Sequence, residues 1–170
     1  MTALKQCELF KSLPEPDLEL LRQKCVERSY EPGAVVFQEG DEGDGLYIVC
    51  AGVIQISALV GQTQAREQDR RVLTRIHPGE FFGEMAVLDN EPRSATATAE
   101  LPARVAFITR DDLLRLLDKS PHLAVNLMRE FSQRMRDFNR HYIQEVLQAE
   151  RLTLVGRFAR SIVHDFKNPL

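Results

Sequence analysis

The chain has 170 residues, enough for one compact domain with an extension and too few for a large multidomain enzyme. Hydrophobic residues make up 44% and charged residues 28%, which excludes a disordered or fibrous protein. The formal net charge of −3 gives no chain-wide attraction to nucleic acid. Residues 1–120 carry a net charge of −6 and residues 121–170 carry +3, so we expect two domains, 1–120 and 121–170.

The cellular location and the cysteines also restrict the class of protein. No apolar run is long enough to span a membrane, and the N-terminus lacks the apolar segment of a signal peptide, so we expect a cytoplasmic protein. Cys7, Cys25 and Cys50 lie far apart and form no Cys-x-x-Cys pair, which indicates reduced thiols. The histidines are equally scattered, so we expect no metal site.

The first predicted elements are one helix and then a series of short strands. Leu18, Leu21 and Cys25 share a face, which predicts an amphipathic helix that ends at about Val26. Glycine-rich turns then separate short apolar runs, a pattern typical of an antiparallel sandwich or barrel. Residues 61–69 have no buried face and are predicted to form an exposed hairpin loop. The predicted strands are residues 35–37, 46–50, 53–56, 72–76, 95–99 and 105–108.

Two helices are predicted after the last strand. A short one begins at Asp111-Asp112 and ends before Pro121, and a long one runs from about His122 past His164. Its heptad positions are mostly apolar, which predicts a coiled-coil homodimer, although the first two turns can cover their own domain. Glu145 interrupts this pattern, and the broader apolar face beyond it favours a four-helix bundle whose other helices are absent. The heptad positions are 128, 131, 135, 138, 142, 145, 149, 152, 156, 159, 163 and 166.

The residues that point to chemistry lie between positions 81 and 96. Gly83 precedes a single helical turn, Glu84 directly follows Gly83, and Arg93 comes nine residues after Glu84. Free amides at the turn and an arginine suit phosphate oxygens, whereas a carboxylate can accept from a ribose hydroxyl. The pattern therefore indicates a nucleotide with a free ribose hydroxyl. The alternative is an ordinary surface ion pair between Glu84 and Arg93.

Two motifs resemble the cyclic nucleotide-binding domain family. Phe82-Gly83-Glu84-Met85-Ala86 through Pro92-Arg93-Ser94-Ala95-Thr96 is similar to its phosphate-binding cassette, and residues 39–49 with Gly52-Val53-Ile54 resemble its glycine-marked hairpins. The resemblance covers about residues 6–140. It implies an α+β, mainly β, fold: an eight-stranded jelly roll with flanking helices and a long C-terminal dimerisation helix.

The resemblance also implies roles for individual residues. In the family, the glutamate at the place of Glu84 accepts from the ribose 2′-OH, and the arginine at the place of Arg93 pairs with the cyclic phosphate. Four further residues would complete the binding shell, and two on the long helix would cover the base. Ser94 gives no decisive signal for guanine, so we expect cAMP rather than cGMP, with a cyclic dinucleotide left open. The further shell residues are Gly83, Met85, Ala86 and Ser94, and the possible base lid is Phe138 and Asn139.

The last residues resemble the phosphoacceptor box of sensor histidine kinases, His-Asp/Glu-x-x-Asn-Pro-Leu. Asp165 would orient the imidazole of His164, which would leave a ring nitrogen free as the nucleophile. The alternative is an exposed histidine without a role. The 170 residues contain no ATP-binding segment, so we expect a piece of a longer cytoplasmic kinase that uses ATP and a response regulator, and no phosphate transfer from this piece alone.

These observations combine into one hypothesis with two rivals. We expect a cyclic-nucleotide-sensing module of a histidine kinase, which passes ligand binding along a dimeric helix to His164. One rival is a jelly-roll dimerisation module that binds no nucleotide. The other is a transcription regulator of the cAMP-receptor type, cut before its DNA-binding domain; a helix-turn-helix is not present in these residues, so we expect no contact with nucleic acid.

Overall fold

The computed structural model describes residues 5, 7, 9–11, 13–59 and 70–167, and beyond residue 140 it describes side chains only at 143, 144, 147 and 148. The chain divides into two compact units, Met1–Leu127 and Met128–Leu170. None of the helices in the described ranges has the length and hydropathy that a membrane span requires. The predicted hairpin loop at 61–69 lies outside the described residues.

Helix α1 spans Glu15–Lys24 and follows Pro14, with Glu15 and Asp17 in its first turn. Acidic side chains are favourable there because they face the positive end of the helix dipole. Leu18 and Leu21 are buried, as predicted. The predicted end near Val26 was wrong: the helix stops at Lys24, because the extended Cys25 closes it with a hydrogen bond to the Leu21 carbonyl, and Val26 begins a strand.

In the described part of the chain, eight strands form two four-stranded antiparallel sheets. The strands are β1 (Val26–Tyr30), β2 (Val35–Phe37), β3 (Gly45–Ala51), β4 (Ile54–Leu59), β5 (Arg70–Ile76), β6 (Phe81–Phe82), β7 (Thr96–Ala99) and β8 (Ala103–Thr109). One sheet has the order β1-β8-β3-β6 and the other β2-β7-β4-β5, so the predicted antiparallel β architecture is confirmed. Sequence patterns missed β1, whose exposed and polar positions show no clear alternation, and β6, which has only two residues.

The main core lies between the two sheets and contains a cluster of aromatic rings. The ring of Tyr47 stacks on that of Phe82, with centroids 5.1 Å apart, and lies 4.8 Å from that of Phe107. Strand β3 is buried on both faces, since Tyr47 and Val49 belong to this core and a helix covers the other side. The buried members are Tyr47, Val49, Ile54, Ile76, Phe82, Ala97, Ala99, Ala103, Val105 and Phe107.

Three more helices follow α1 in the described part of the chain. Helix α2 (Glu84–Asp89) connects β6 to the segment before β7, and α3 (Arg110–Lys119) follows β8 and packs against β3. The Thr109 side chain caps α3 by accepting from the amide of Asp112, so the helix begins one residue earlier than its two acidic residues indicated. Helix α4 spans Pro121–Lys167.

The first two turns of α4 belong to the β unit. Leu123 and Leu127 are buried there, and the side-chain amide of Asn126 donates through Nδ2 to the Leu9 carbonyl at 3.2 Å. The beginning of α4 therefore covers its own domain.

Neighbouring leucines of α3 allow a matched test of this packing. Leu113 is fully buried, whereas Leu114 is 36% exposed. We expect Leu113→Ala to lower the free energy of unfolding by about 2–5 kcal/mol, because it leaves a cavity beneath the helix. Leu114→Ala should change it by roughly 0.5 kcal/mol or less. Urea unfolding followed by circular dichroism measures both, and equal losses would contradict the described orientation of α3.

Candidate functional site

The candidate site is built around Gly83, which lies between β6 and α2. Its φ of 79° lies in the left-handed region that favours glycine. A Cβ atom at this position would lie 2.7 Å from Nη1 of Arg93 and 3.3 Å from Cε1 of Phe37. Both the backbone conformation and the close approach of Arg93 therefore require glycine here.

Helix α2 is fixed at its other end by a second left-handed residue. Asn90 has a φ of 62°, and its side-chain oxygen accepts from Nη1 of Arg110. The Nε of Arg110 donates to the Val87 carbonyl at 3.0 Å, which satisfies a carbonyl in the last turn of the helix. In the middle of α2, Ala86 lies close to the loop between β2 and β3. A Cβ at Gly43 of this loop would be 2.6 Å from the Cβ of Ala86. The helix is thus held at both ends and along one side.

Arg93 is buried in the β unit, with only 3% of its surface exposed. Its Nη1 donates to the Gly83 carbonyl at 2.6 Å, and its Nη2 donates to Oδ1 of Asp44 at 2.6 Å and to the Gly45 carbonyl at 2.8 Å. The guanidinium carbon lies 4.2 Å from the ring centroid of Phe37. A buried cation is costly unless it is paired and hydrogen-bonded, and these contacts meet that requirement.

The main chain of Arg93 is fixed as firmly as its side chain. Its amide donates to the Asp41 carbonyl at 2.8 Å, and its carbonyl accepts from the amide of Gly40 at 2.8 Å. The amide of Gln38 donates to the Asp41 side chain at 2.7 Å and stabilises the turn that makes these bonds. The position of the guanidinium is therefore set before any ligand arrives.

One donor of Arg93 stays unsatisfied within the described structure. Its Nε is buried and has no hydrogen-bond partner among the described residues. An unmade hydrogen bond of this kind costs about 1–3 kcal/mol, and more for a charged group. Phosphate oxygens are suitable acceptors for a guanidinium, so this donor fits an anionic ligand.

Glu84 is the first residue of α2 and is also buried, with 6% exposed. The alternative from sequence, a surface ion pair between Glu84 and Arg93, was wrong on the surface position: both residues are buried. Arg93 forms an ion pair with Asp44. A carboxylate at the start of a helix is favoured by the helix dipole. It lies one residue after the glycine whose carbonyl holds Arg93.

The other predicted site residues differ in exposure. Ala86 is buried, whereas Met85 is 49% exposed and Ser94 is exposed, with its hydroxyl 3.9 Å from the Met85 sulfur. Phe138 and Asn139 belong to the second unit, where both are exposed, and their role as a base lid stays a prediction. The side chains of His164 and Asp165 lie outside the described residues, although the backbone there is helical.

Sequence reasoning missed groups that contact the guanidinium of Arg93: the ring of Phe37, the carboxylate of Asp44 and the carbonyl of Gly45. Asp44 lies in a run of glycines and acids that is typical of a solvated turn. The usable signal was the buried cation itself, since an arginine inside a β-roll needs an anion nearby. Phe37 gave no such signal, because an apolar strand residue is ordinary core.

Tyr47 links this site to the core. Its hydroxyl lies 3.4 Å from Oδ1 of Asp44 and accepts from Nη1 of Arg28 at 3.3 Å. Burial and, after it, the nearby charge of Asp44 raise the pKa of Tyr47 to about 12, against the opposing effect of Arg28 and Arg93. The phenol therefore stays protonated and donates a hydrogen bond at neutral pH.

Comparisons with known proteins agree on one domain type. The sequence profile of the cyclic nucleotide-binding domain matches residues 27–120, more than half of the chain. The chain is 37% identical over 136 residues to a cGMP-dependent protein kinase of Eimeria tenella, and 33% identical over 136 residues to the cyclic AMP receptor protein of Thermus thermophilus. These alignments cover 79% of this chain but only 13% and 60% of the two relatives.

Solved structures agree with these sequence matches. The catabolite activator protein of Thermus thermophilus superposes with a TM-score of 0.69 at 32% identity, over 78% of this chain and 60% of that one. The regulatory domain of Toxoplasma gondii protein kinase A, crystallised with cAMP, superposes with a TM-score of 0.60 at 34% identity, over 68% of this chain and 42% of that one.

The raised pKa of Tyr47 predicts a pH dependence of stability. Folding favours the protonated phenol, so its contribution is complete below pH 10 and declines as the pH rises from 10 towards 12. We expect the free energy of unfolding of the wild type to fall more steeply over this range than that of Tyr47→Phe. Urea titrations at pH 8 to 11 measure this, and parallel profiles for the two proteins would contradict it.

Proposed function

Because the chain belongs to the cyclic nucleotide-binding domain family, we propose that its β unit binds a 3′,5′-cyclic nucleotide and regulates a larger protein through α4. The observation that best supports binding is the buried guanidinium of Arg93, which is positioned beside Gly83 and has one unsatisfied donor. A cyclic phosphate carries the oxygen acceptors and the single negative charge that this group fits.

The phosphate would bind between Arg93 and the start of α2. Gly83 allows close approach of the backbone, and the amides of Met85 and Ala86 together with the Ser94 hydroxyl supply further donors. Asp44 already pairs with Nη2 of Arg93, so the incoming phosphate would accept from the unsatisfied Nε of the same guanidinium. Binding therefore adds a second anionic partner to a fixed cation.

Glu84 would bind the ribose. A carboxylate repels a bare phosphate but accepts a hydrogen bond from the 2′-OH, so it selects a ribonucleotide. Its burial makes this contact strong, since few water molecules compete.

We assign cAMP as the preferred ligand. A cAMP receptor protein and a cAMP-bound kinase regulatory domain are among the relatives, although a cGMP-dependent kinase is too. Ser94 offers a small hydroxyl without a clear preference for guanine. Phe138 and Asn139 are proposed to cover the base.

The exposed apolar face of α4 supports a homodimer. In the second unit Met128, Met135 and Phe138 occur at heptad spacing, and each is more than half exposed. Ile143 and Leu147 are also exposed, but they fall at outer positions of the heptad and do not belong to this stripe. Exposed apolar stripes of this length are stabilised by a second helix.

The output of the sensor is a separate proposal. The chain spans 60% of its cAMP receptor relative and 13% of its cGMP-dependent kinase relative, so the output is proposed from the chain's own residues and not taken from these matches. The seven-residue phosphoacceptor pattern at His164 supports a histidine kinase that phosphorylates a response regulator, and the helical backbone of α4 includes this histidine. The relatives instead include a cGMP-dependent protein kinase and a CRP-like cAMP-activated global transcriptional regulator, and such a regulator is the second candidate.

The first test is titration with cAMP and cGMP by calorimetry. We expect saturable binding to the wild type, weakened about ten- to hundredfold in Arg93→Ala, the loss expected for a charge-assisted contact. Arg104→Ala removes an equal charge from an exposed position of β8 and should bind as the wild type does. A folded, ligand-free wild type that binds neither nucleotide would refute the proposal and leave a non-binding dimerisation module.

The second test isolates the ribose contact. We expect Glu84→Gln to weaken cAMP binding about tenfold while changing the affinity for 2′-deoxy-cAMP much less, because the deoxy ligand lacks the proposed donor. Equal losses for both ligands would show that Glu84 acts on the fold of the site and not on the 2′-OH.

The third test concerns α4. We expect Phe138→Glu and Met135→Glu to shift the protein from dimer to monomer in sedimentation experiments, because a charge on the seam opposes burial. Ser132→Glu places the same charge at a neighbouring exposed position outside the seam and should leave the dimer intact. A wild type that is monomeric at its highest soluble concentration would contradict the seam.

A further inference from the structure

A second arginine lies at the edge of the aromatic core. Arg28 is in β1, directly opposite Val105 of β8, so its side chain shares the inner face of the sheet with this core residue. Its guanidinium carbon lies 3.6 Å from the ring centroid of Phe107 and 5.7 Å from that of Tyr47. A charged side chain on an inner face is costly, and stacking on these rings offsets only part of that cost. The hydrogen bonds of Arg28 are therefore needed to offset the rest of this cost.

The hydrogen bonds of Arg28 lead towards Arg93. Arg28 has only donors, and its Nη1 donates to the Tyr47 hydroxyl at 3.3 Å. The single hydroxyl proton of Tyr47 is then directed at Asp44, whose two carboxylate oxygens lie 3.4 and 3.5 Å away. Asp44 in turn accepts from Nη2 of Arg93 at 2.6 Å.

Asp44 is the most exposed member of this series. Its side chain is 53% exposed, so water competes for it, whereas Tyr47 is buried and stacked on Phe82. The phenol is thus a rigid donor beside a carboxylate that would otherwise sample several rotamers. Its pKa of about 12 keeps the proton in place at neutral pH.

We propose that Arg28, acting through the Tyr47 hydroxyl, is a positioning residue that holds the Asp44 carboxylate against Arg93 and sets how tightly the site takes a phosphate. The second half of this statement rests on the function proposed above. The positive charge of Arg28 also offsets part of the negative charge of Asp44, which repels an incoming phosphate.

The first experiment needs no ligand. Nitrogen-15 NMR of the arginine side chains measures how fast the guanidinium protons of Arg93 exchange with water, with the signal assigned by its loss in Arg93→Lys. We expect exchange to become several-fold faster in Arg28→Met and in Tyr47→Phe, and to be largely restored in Arg28→Lys. Arg104→Met, a charge loss on the outer side of the neighbouring strand, should have no effect. Exchange in folded Arg28→Met at the wild-type rate would overturn the proposal.

The second experiment measures cAMP affinity in a double-mutant cycle. We expect Arg28→Met to weaken binding about three- to tenfold, the effect of one net hydrogen bond, and Arg28→Lys to recover most of it. In the Asp44→Asn background, Arg28→Met should cause no further loss. An equal loss in both backgrounds would overturn the proposed route through Asp44. A wild type that binds no cAMP would refute the function proposed above. The exchange measurement would still test whether Arg28 holds the Asp44 carboxylate against Arg93.

Discussion

The burial of one positive charge determines most of the local structure of this protein. Arg93 lies inside a β-roll, where an unpaired guanidinium would be strongly destabilising, so the surrounding chain supplies a carboxylate and two carbonyls at short distance. The Gly83 carbonyl can approach Arg93 because a Cβ at position 83 would lie only 2.7 Å from Nη1 of that arginine. Gly83, the acidic turn that carries Asp44 and the aromatic ring of Phe37 all meet this one requirement.

The same arrangement explains how a site can be rigid and still responsive. Main-chain bonds to Gly40 and Asp41 fix the position of Arg93, while the partner of its guanidinium is a half-exposed carboxylate. A ligand therefore meets a cation whose position and ion pair are already in place. Preorganisation of this kind reduces the entropy lost on binding.

Much of the fold could be predicted from sequence, because its signals are local. Glycine turns and apolar runs located six strands, and the order Gly83, Glu84, Arg93 drew attention to the segment that holds the buried guanidinium. Strands β1 and β6 and the ion pair with Asp44 could not be found this way. These features depend on contacts between distant parts of the sequence. Strand β1 pairs with β8, and Asp44 contacts Arg93, which lies 49 positions later. Hydrophobic periodicity does not report such contacts.

Helix α2 has left-handed residues at both ends, Gly83 and Asn90, and a tight contact with Gly43 in its middle. Each residue added to a helix turns everything after it by roughly 100°. A single insertion or deletion would therefore rotate Ala86 away from Gly43 and separate Asn90 from Arg110. The number of residues in α2 is therefore constrained, and relatives of different length should carry their insertions and deletions outside this helix.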